Sequence, residues 1–389
     1  MTPNADKRFE RIHIKGFRRL EDIQLELRNL CVLIGANGSG KTSFLDVFNL
    51  LAASAEGRLN NAISSFGGFS SILTANQTKQ MSIEVSMKVP RQQYPLKYAL
   101  TVESRGVAYE IAEESMTQQR TQNPNDPFKH IESIRDDIRY FEVGKGKLIR
   151  PTWEHKPLET SLSQVPKMFH EPEEFRNRLA SSTFYHVLNV EPRSPVRLPQ
   201  PLQPAMLPGR DGENLISCLF YLRETNRDRF ETIEDALRTA FPDFVRLDFP
   251  PVAAGTLSMT WKDRNFSHPL FPLQLSEGTL RFLWLATLLQ SPGLTAITLL
   301  DEPEVSLHPQ LLCLLAGLMR EASSRTQLIV ATHSDRLIRF LKPEEVVAMD
   351  VSETGTAQAN WADTLDLDLW LKDYTLDEVW DMGRLGARS

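Results

Sequence analysis

Apolar and polar positions follow two rhythms in the first fifty residues. Ile12, Ile14 and Phe17, then Ile23, Leu25 and Leu27, alternate with polar residues. That period predicts two antiparallel strands turning between Gly16 and Asp22. Leu30 to Ile34 (LCVLI) is unbroken and predicts a strand buried on both faces. After GANGSGKT, the residues Phe44, Leu45, Val47, Phe48, Leu50 and Leu51 recur with helical spacing. The chain therefore opens as strand, glycine loop, helix.

The texture changes beyond about residue 60. MSIEVSMKV (81–89) and YPLKYALTVES (94–104) alternate like strands with one exposed face, and the polar run from Gln118 to Asp126 predicts a loop. Six prolines crowd the 17 residues from Pro192 to Pro208. The region 61–205 is expected to be a mixed α/β insertion that returns to the main fold through this proline-rich stretch. A helical pattern covers Asn214 to Ala240, and a strand pair is expected at Val245–Phe249 and Thr256–Trp261. Residues 273–290 predict a polar loop entering an apolar helix, and 295–304 a buried strand ending in carboxylates. An amphipathic helix follows at 308–324, with Pro309 near its first turn. A buried strand (326–334), a short helix (334–341) and a last strand (345–351) precede a tail carrying Trp361, Trp370 and Trp380. The succession predicts an α/β fold with no internal repeat. The expected lobes are 1–60, 61–205, 206–290 and 291–389.

Composition narrows the class. Apolar residues are 41% and charged residues 24% of 389, which excludes wholesale disorder. Cys31, Cys218 and Cys313 lie far apart, against a cysteine zinc site or a disulfide framework. The charged N-terminus is unlike a signal peptide and no apolar run is long enough to span a membrane. A cytoplasmic protein without membrane contact is expected. The net charge of −6 argues against global capture of nucleic acid, but not against a local basic groove. The basic residues between Lys129 and Arg150 sit among acids and read as a solvated mixed-charge face.

Gly35-Ala36-Asn37-Gly38-Ser39-Gly40-Lys41-Thr42 matches the phosphate-loop pattern, in the required context between strand and helix. Glycines let backbone N–H groups turn inward around phosphate oxygens, and the helix N-terminus adds its dipole. Lys41 is then expected on the β- and γ-phosphates of ATP, and the Thr42 hydroxyl on Mg2+. Asp301 and Glu302 end a buried strand, where a Mg2+ ligand and a group acting on the attacking water belong. His333 ends the next strand, within expected reach of a γ-phosphate. Ser276, Glu277, Gly278 and Thr279 open a helix and offer a second anion site. The plainer readings are an acidic strand cap, a packed histidine and an ordinary N-cap at Ser276.

In order, these motifs resemble the ABC-type ATPases, in the RecF/SMC-like branch and among standalone bacterial ATPases. The likeness is carried by FERIHIKGFRRLEDIQLEL, VLIGANGSGKTSFLDVFNLL, LSEGTLRFLWLATLL, LLDEPEVSLHPQLL and LIVATHSDRLI. It covers about half the chain. It implies an ATPase head: a P-loop core with an antiparallel β subdomain and a helical signature subdomain, here carrying the 61–205 insertion. It implies Gly35 to Ser43 as the Walker A cradle and Asp301 with Glu302 as the Walker B pair. Ser276 and Gly278 become the signature segment, which in this superfamily touches the γ-phosphate bound to a second subunit. Glu277 departs from the usual glycine there. Val305 to His308 would cross the dimer interface, His333 would be the switch histidine, and Arg18 would approach the phosphates. Gln77 or Gln80 would link the lobes. Coiled-coil arms and a Toprim nuclease domain are not legible.

The resemblance implies ATP hydrolysis with Mg2+, in a homodimer closed by ATP. An effector protein or DNA would receive the signal, in DNA maintenance or phage defence. The other reading is a slow nucleotide switch that scaffolds a protein partner with little turnover.

Overall fold

The computed structural model describes residues 7–74, 78–90, 93–106, 108–120, 126–367, 370–371, 374–383 and 385. Its centre is a six-stranded sheet in the order Thr183–Tyr185, Ile297–Asp301, Gln327–Ala331, Leu30–Ile34, Val346–Val351 and Ala357–Trp361. The first five strands are parallel and the last is antiparallel. Asp301 pairs with Ala331, and Ala331 with Leu33, so three strands finish at one edge.

The LCVLI strand shows why its sequence is apolar throughout. Leu30, Val32 and Ile34 belong to one core; Cys31 and Leu33 belong to another. Each side of a strand carries every second residue, so a strand between two cores has no polar face to offer. On the first side lie the helices Leu215–Thr225, Arg227–Ala240, Glu277–Gln290 and Pro309–Ser323. On the second side the helix Lys41–Ala55 is sandwiched between the central sheet and an eight-stranded antiparallel sheet. Its Phe44, Leu45, Phe48 and Leu51 share a core with Ile12, Ile14, Ile83 and Tyr98, and with Leu299 and Ile329.

The antiparallel sheet runs Leu20–Glu26, Phe9–Phe17, Gln80–Met87, Leu96–Arg105, Ala108–Gln118, Phe128–Ile134, Asp137–Glu142 and Lys147–Ile149. The lobe boundaries expected at 60 and 205 are therefore not sheet boundaries. Phe9–Phe17 pairs directly with Gln80–Met87, which makes most of the middle region an extension of the N-terminal hairpin. Thr183–Tyr185, from the same middle region, is the edge strand of the central sheet. The helical pattern over 214–240 is two helices, because Asn226 leaves the helical region at φ −144° and ψ 69°. Four of the six basic residues over Lys129–Arg150 pair locally, Lys129 with Glu132, Lys145 with Glu142, and both Arg139 and Arg150 with Asp137, while Arg135 reaches Glu103 and Glu110 on neighbouring strands. Among the described residues no helix is long and apolar enough to cross a membrane.

Candidate functional site

The site assembles where the three parallel strands end. Leu30–Ile34 runs into the glycine loop, and the loop into the helix Lys41–Ala55. Gly35 passes so close to the Val346–Val351 strand that a Cβ there would lie 2.1 Å from the Met349 carbonyl oxygen. Gly40, the N-cap, sits at φ 105°, in the region that favours glycine, and no side chain caps the helix. The first N–H groups of a helix have no partner within it. With neither a cap nor an acidic residue in the first turn, this end suits an anion. The Ser39 hydroxyl, buried in the loop, has no hydrogen-bond partner in the protein. Asn37 and Gly38 are exposed at the loop's tip, and Thr42 is exposed and Ser43 half-buried at the first turn.

Lys41 is buried, and its ammonium donates to the carbonyls of Gly35 at 2.7 Å and Ala36 at 2.9 Å. Burial lowers its pKa, while Glu302, Asp301 and Glu304 oppose that shift. Asp301 shifts the other way: burial raises its pKa, neighbouring Glu302 adds to the rise, and His186 and Lys41 counter it. A lysine lowered and a carboxylate raised in one crevice is the electrostatic mark of a functional site. Among the described residues no three His, Cys, Asp or Glu side chains form a metal cluster. The Thr42 hydroxyl and the Asp301 carboxylate are the oxygen donors that would hold a Mg2+ ion, a hard cation suited to oxygen ligands.

Glu302 has φ 50°, a conformation rare outside glycine, and its N–H donates to the Ala331 carbonyl at 2.8 Å. Its side chain lies at the neighbouring strand end, with Oε1 3.0 Å from Nδ1 of His333. Such strain persists where the surroundings over-determine it, as at active sites. Arg18 is a further positive-φ residue, at φ 48°, in the hairpin between Phe17 and Leu20. Its guanidinium bonds Asp46 at 2.5 Å and lies over the Phe17 and Phe66 rings. In this structure its charge is paired with Asp46.

Ser276 and Gly278 form hydrogen bonds and close contacts away from the glycine loop. Ser276 caps its own helix by accepting the Thr279 N–H at 3.1 Å. A Cβ on Gly278 would meet the Ser306 carbonyl oxygen at 2.6 Å. Arg281, one turn on, donates to the Ser306 hydroxyl at 2.5 Å and the Val305 carbonyl at 3.3 Å. The segment thus grips the Val305–His308 loop of its own chain. Gln80 begins a strand of the antiparallel sheet beside Gly16; Gln77 lies outside the described residues.

Three neighbours carry no motif. His186 follows the Thr183–Tyr185 strand, with Nδ1 3.8 Å from Asp301. Asp46 holds Arg18, and burial raises its pKa against that pairing. Glu304 sits behind Glu302. The available signal was the third acid of DEPE and the helical spacing that sets Asp46 near Thr42.

A glycine loop, an acidic strand end and a histidine on the next strand, flanked by an antiparallel sheet and a helical layer, define an ABC-type ATPase of the RecF/SMC-like branch. Comparison with known proteins agrees. The chain belongs to the family described as "AAA domain, putative AbiEii toxin, Type IV TA system", whose model matches residues 30–339. It is 26% identical over 162 residues to the DNA replication and repair protein RecF of Halothermothrix orenii. That match covers 41% of this chain and 38% of the relative. The fold is similar to the SmcHead bound to the C-winged helix domain of ScpA, with TM-score 0.56 and 14% identity, over 91% of this chain and 97% of that one. The Smc head with an extended coiled coil bound to the C-terminal domain of ScpA, from Pyrococcus furiosus, is similar with TM-score 0.52 and 12% identity. There the likeness covers 94% of this chain and 98% of the other.

Proposed function

We propose that this chain binds and hydrolyses ATP in a homodimer whose closure is gated by the nucleotide. The observation that carries this reading is the convergence of the uncapped Gly40–Lys41 helix end with Asp301, Glu302 and His333. Gly35, Asn37, Gly38, Ser39, Gly40 and Ser43 would cradle the phosphates. Lys41 would exchange two backbone carbonyls for phosphate oxygens, a stronger charge-assisted bond. Thr42 and Asp301 would hold Mg2+, which when bound neutralises charge on the phosphates. Glu302 would orient and deprotonate the attacking water, and His333, held on its carboxylate, would meet the terminal phosphate. Ser276 and Gly278 would act on the nucleotide of a second copy.

The RecF relative's name concerns DNA replication and repair, and the similar SMC heads were solved with a protein partner. We extend those two features to this chain: its ATP-dependent state would be passed to an effector protein or DNA, in DNA maintenance or phage defence.

Calorimetry and turnover test the reading together. The wild type is expected to bind Mg·ATP and hydrolyse it, and Glu302→Gln to bind but not hydrolyse, since an amide takes no proton. Absence of Mg·ATP binding at millimolar concentration would end this account. Binding with near-zero wild-type turnover would favour the slow switch scaffold instead.

A further inference from the structure

Glu304 is a buried acid, and motif reasoning gives it no task. The residue is 8% exposed. One carboxyl oxygen is bonded to the Thr332 hydroxyl at 2.5 Å; the other is buried with no hydrogen-bond partner in the protein. Thr332 is fully buried, and its hydroxyl oxygen also accepts the Ser334 N–H at 3.0 Å. The residue between those two is His333. On the other strand, the residue two before Glu304 is Glu302, the carboxylate that His333 meets at 3.0 Å. Two side-chain bridges thus cross the same pair of strand ends, one buried and one facing the site.

A backbone bond already ties these ends together. Glu302 N–H donates to Ala331 at 2.8 Å, while Thr332 N–H donates away from this pair, to Leu33 on the next strand, at 3.0 Å. The Glu304–Thr332 bridge adds a buried side-chain contact on the residue just before His333. The Thr332 hydroxyl that it meets also receives the Ser334 N–H, so these two side-chain contacts bracket His333.

We propose that Glu304 is a positioning residue for hydrolysis, holding Thr332 so that the His333 imidazole stays on Glu302. The role rests on the reading of Glu302 and His333 given above. Glu304 acts through a hydrogen bond and its shape. Burial raises its pKa, which favours the neutral acid, and glutamine keeps both the size and an acceptor oxygen.

The test uses full-length protein in two arms. The first is nucleotide-free: the ring-nitrogen NMR signals of His333 in histidine-labelled protein, assigned among its eight histidines by His333→Gln. The second is steady-state ATP hydrolysis. Glu304→Ala and Thr332→Val are each expected to move the His333 signals toward those of an imidazole away from Glu302. Each should lower kcat on the order of 10- to 100-fold, the usual effect of losing an orienting partner, with KM for ATP changing less than about twofold. Glu304→Gln and Thr332→Ser should stay near wild type in both arms. Unmoved His333 signals in Glu304→Ala would overturn the proposal. So would a Glu304→Gln variant as impaired as Glu304→Ala, because charge would then be what matters. If Glu304→Ala fails to fold, Thr332→Val carries the same comparison. If wild-type protein shows no turnover, the hydrolysis reading fails by itself, while the imidazole signals still decide whether Glu304 holds His333.

Discussion

Two helices of this chain begin in small, polar sequence, and their first turns are built in opposite ways. The helix at Lys41 starts from a glycine at φ 105°, with no capping side chain and no acid in its first turn. The helix at Glu277 starts from Ser276, whose hydroxyl accepts the Thr279 N–H, and carries Glu277 in its first turn. A side-chain cap satisfies one of the donors a helix end leaves open, and an acid there already meets the dipole. The first end is thus prepared for an anion from outside the protein, the second largely satisfied by its own residues. In the proposed dimer, Ser276 and Gly278 would reach a nucleotide as a surface presented to another copy. The usual glycine at the Glu277 position would leave that surface more open to phosphate.

Variants at the two ends separate these roles. The largest effect is expected at Lys41. Lys41→Ala should cost about 2–5 kcal/mol of Mg·ATP affinity, as removing one partner of a buried charged contact does. The fold should be kept, because only two backbone carbonyls lose their donor; calorimetry and thermal unfolding read both quantities. Gly278→Ala comes next. Its Cβ would press on the Ser306 carbonyl oxygen at 2.6 Å. Overpacking of this kind costs about 1–3 kcal/mol, visible as a lower thermal midpoint without nucleotide. Smallest is Ser276→Ala, which removes a helix cap worth about 1 kcal/mol. A Ser276→Ala chain that loses no stability would mean the cap is not a structural contact. The comparison between the two helix ends would then fail.

What was legible in the sequence is what short spacing encodes. A phosphate loop needs particular residue types within eight consecutive positions, so Gly35 to Thr42 stands out before any fold is known. Asp301, Glu302 and His333 were found because each ends an apolar strand, and parallel pairing brings those ends together. Partners distant in sequence were not legible. Asp46 meets Arg18 only because the helix lies over the hairpin, and Glu304 meets Thr332 only through strand pairing. Residues 80–149 read as an insertion because alternation marks a strand but does not say which sheet it joins. Pairing with Phe9–Phe17, more than sixty residues earlier, settles that. Thr183–Tyr185 is three residues long, too short for any period to register.

The central claim is that a working site takes Lys41 from one chain and Ser276 from another. Mixing two inactive proteins, Lys41→Ala and Ser276→Arg, tests it most directly. In a mixed two-fold dimer one site carries both defects and the other carries neither. Random exchange makes half the dimers mixed, so ATP hydrolysis should return to about a quarter of the wild-type rate. No recovery, with mixed dimers demonstrated by differently tagged chains, would contradict the shared site.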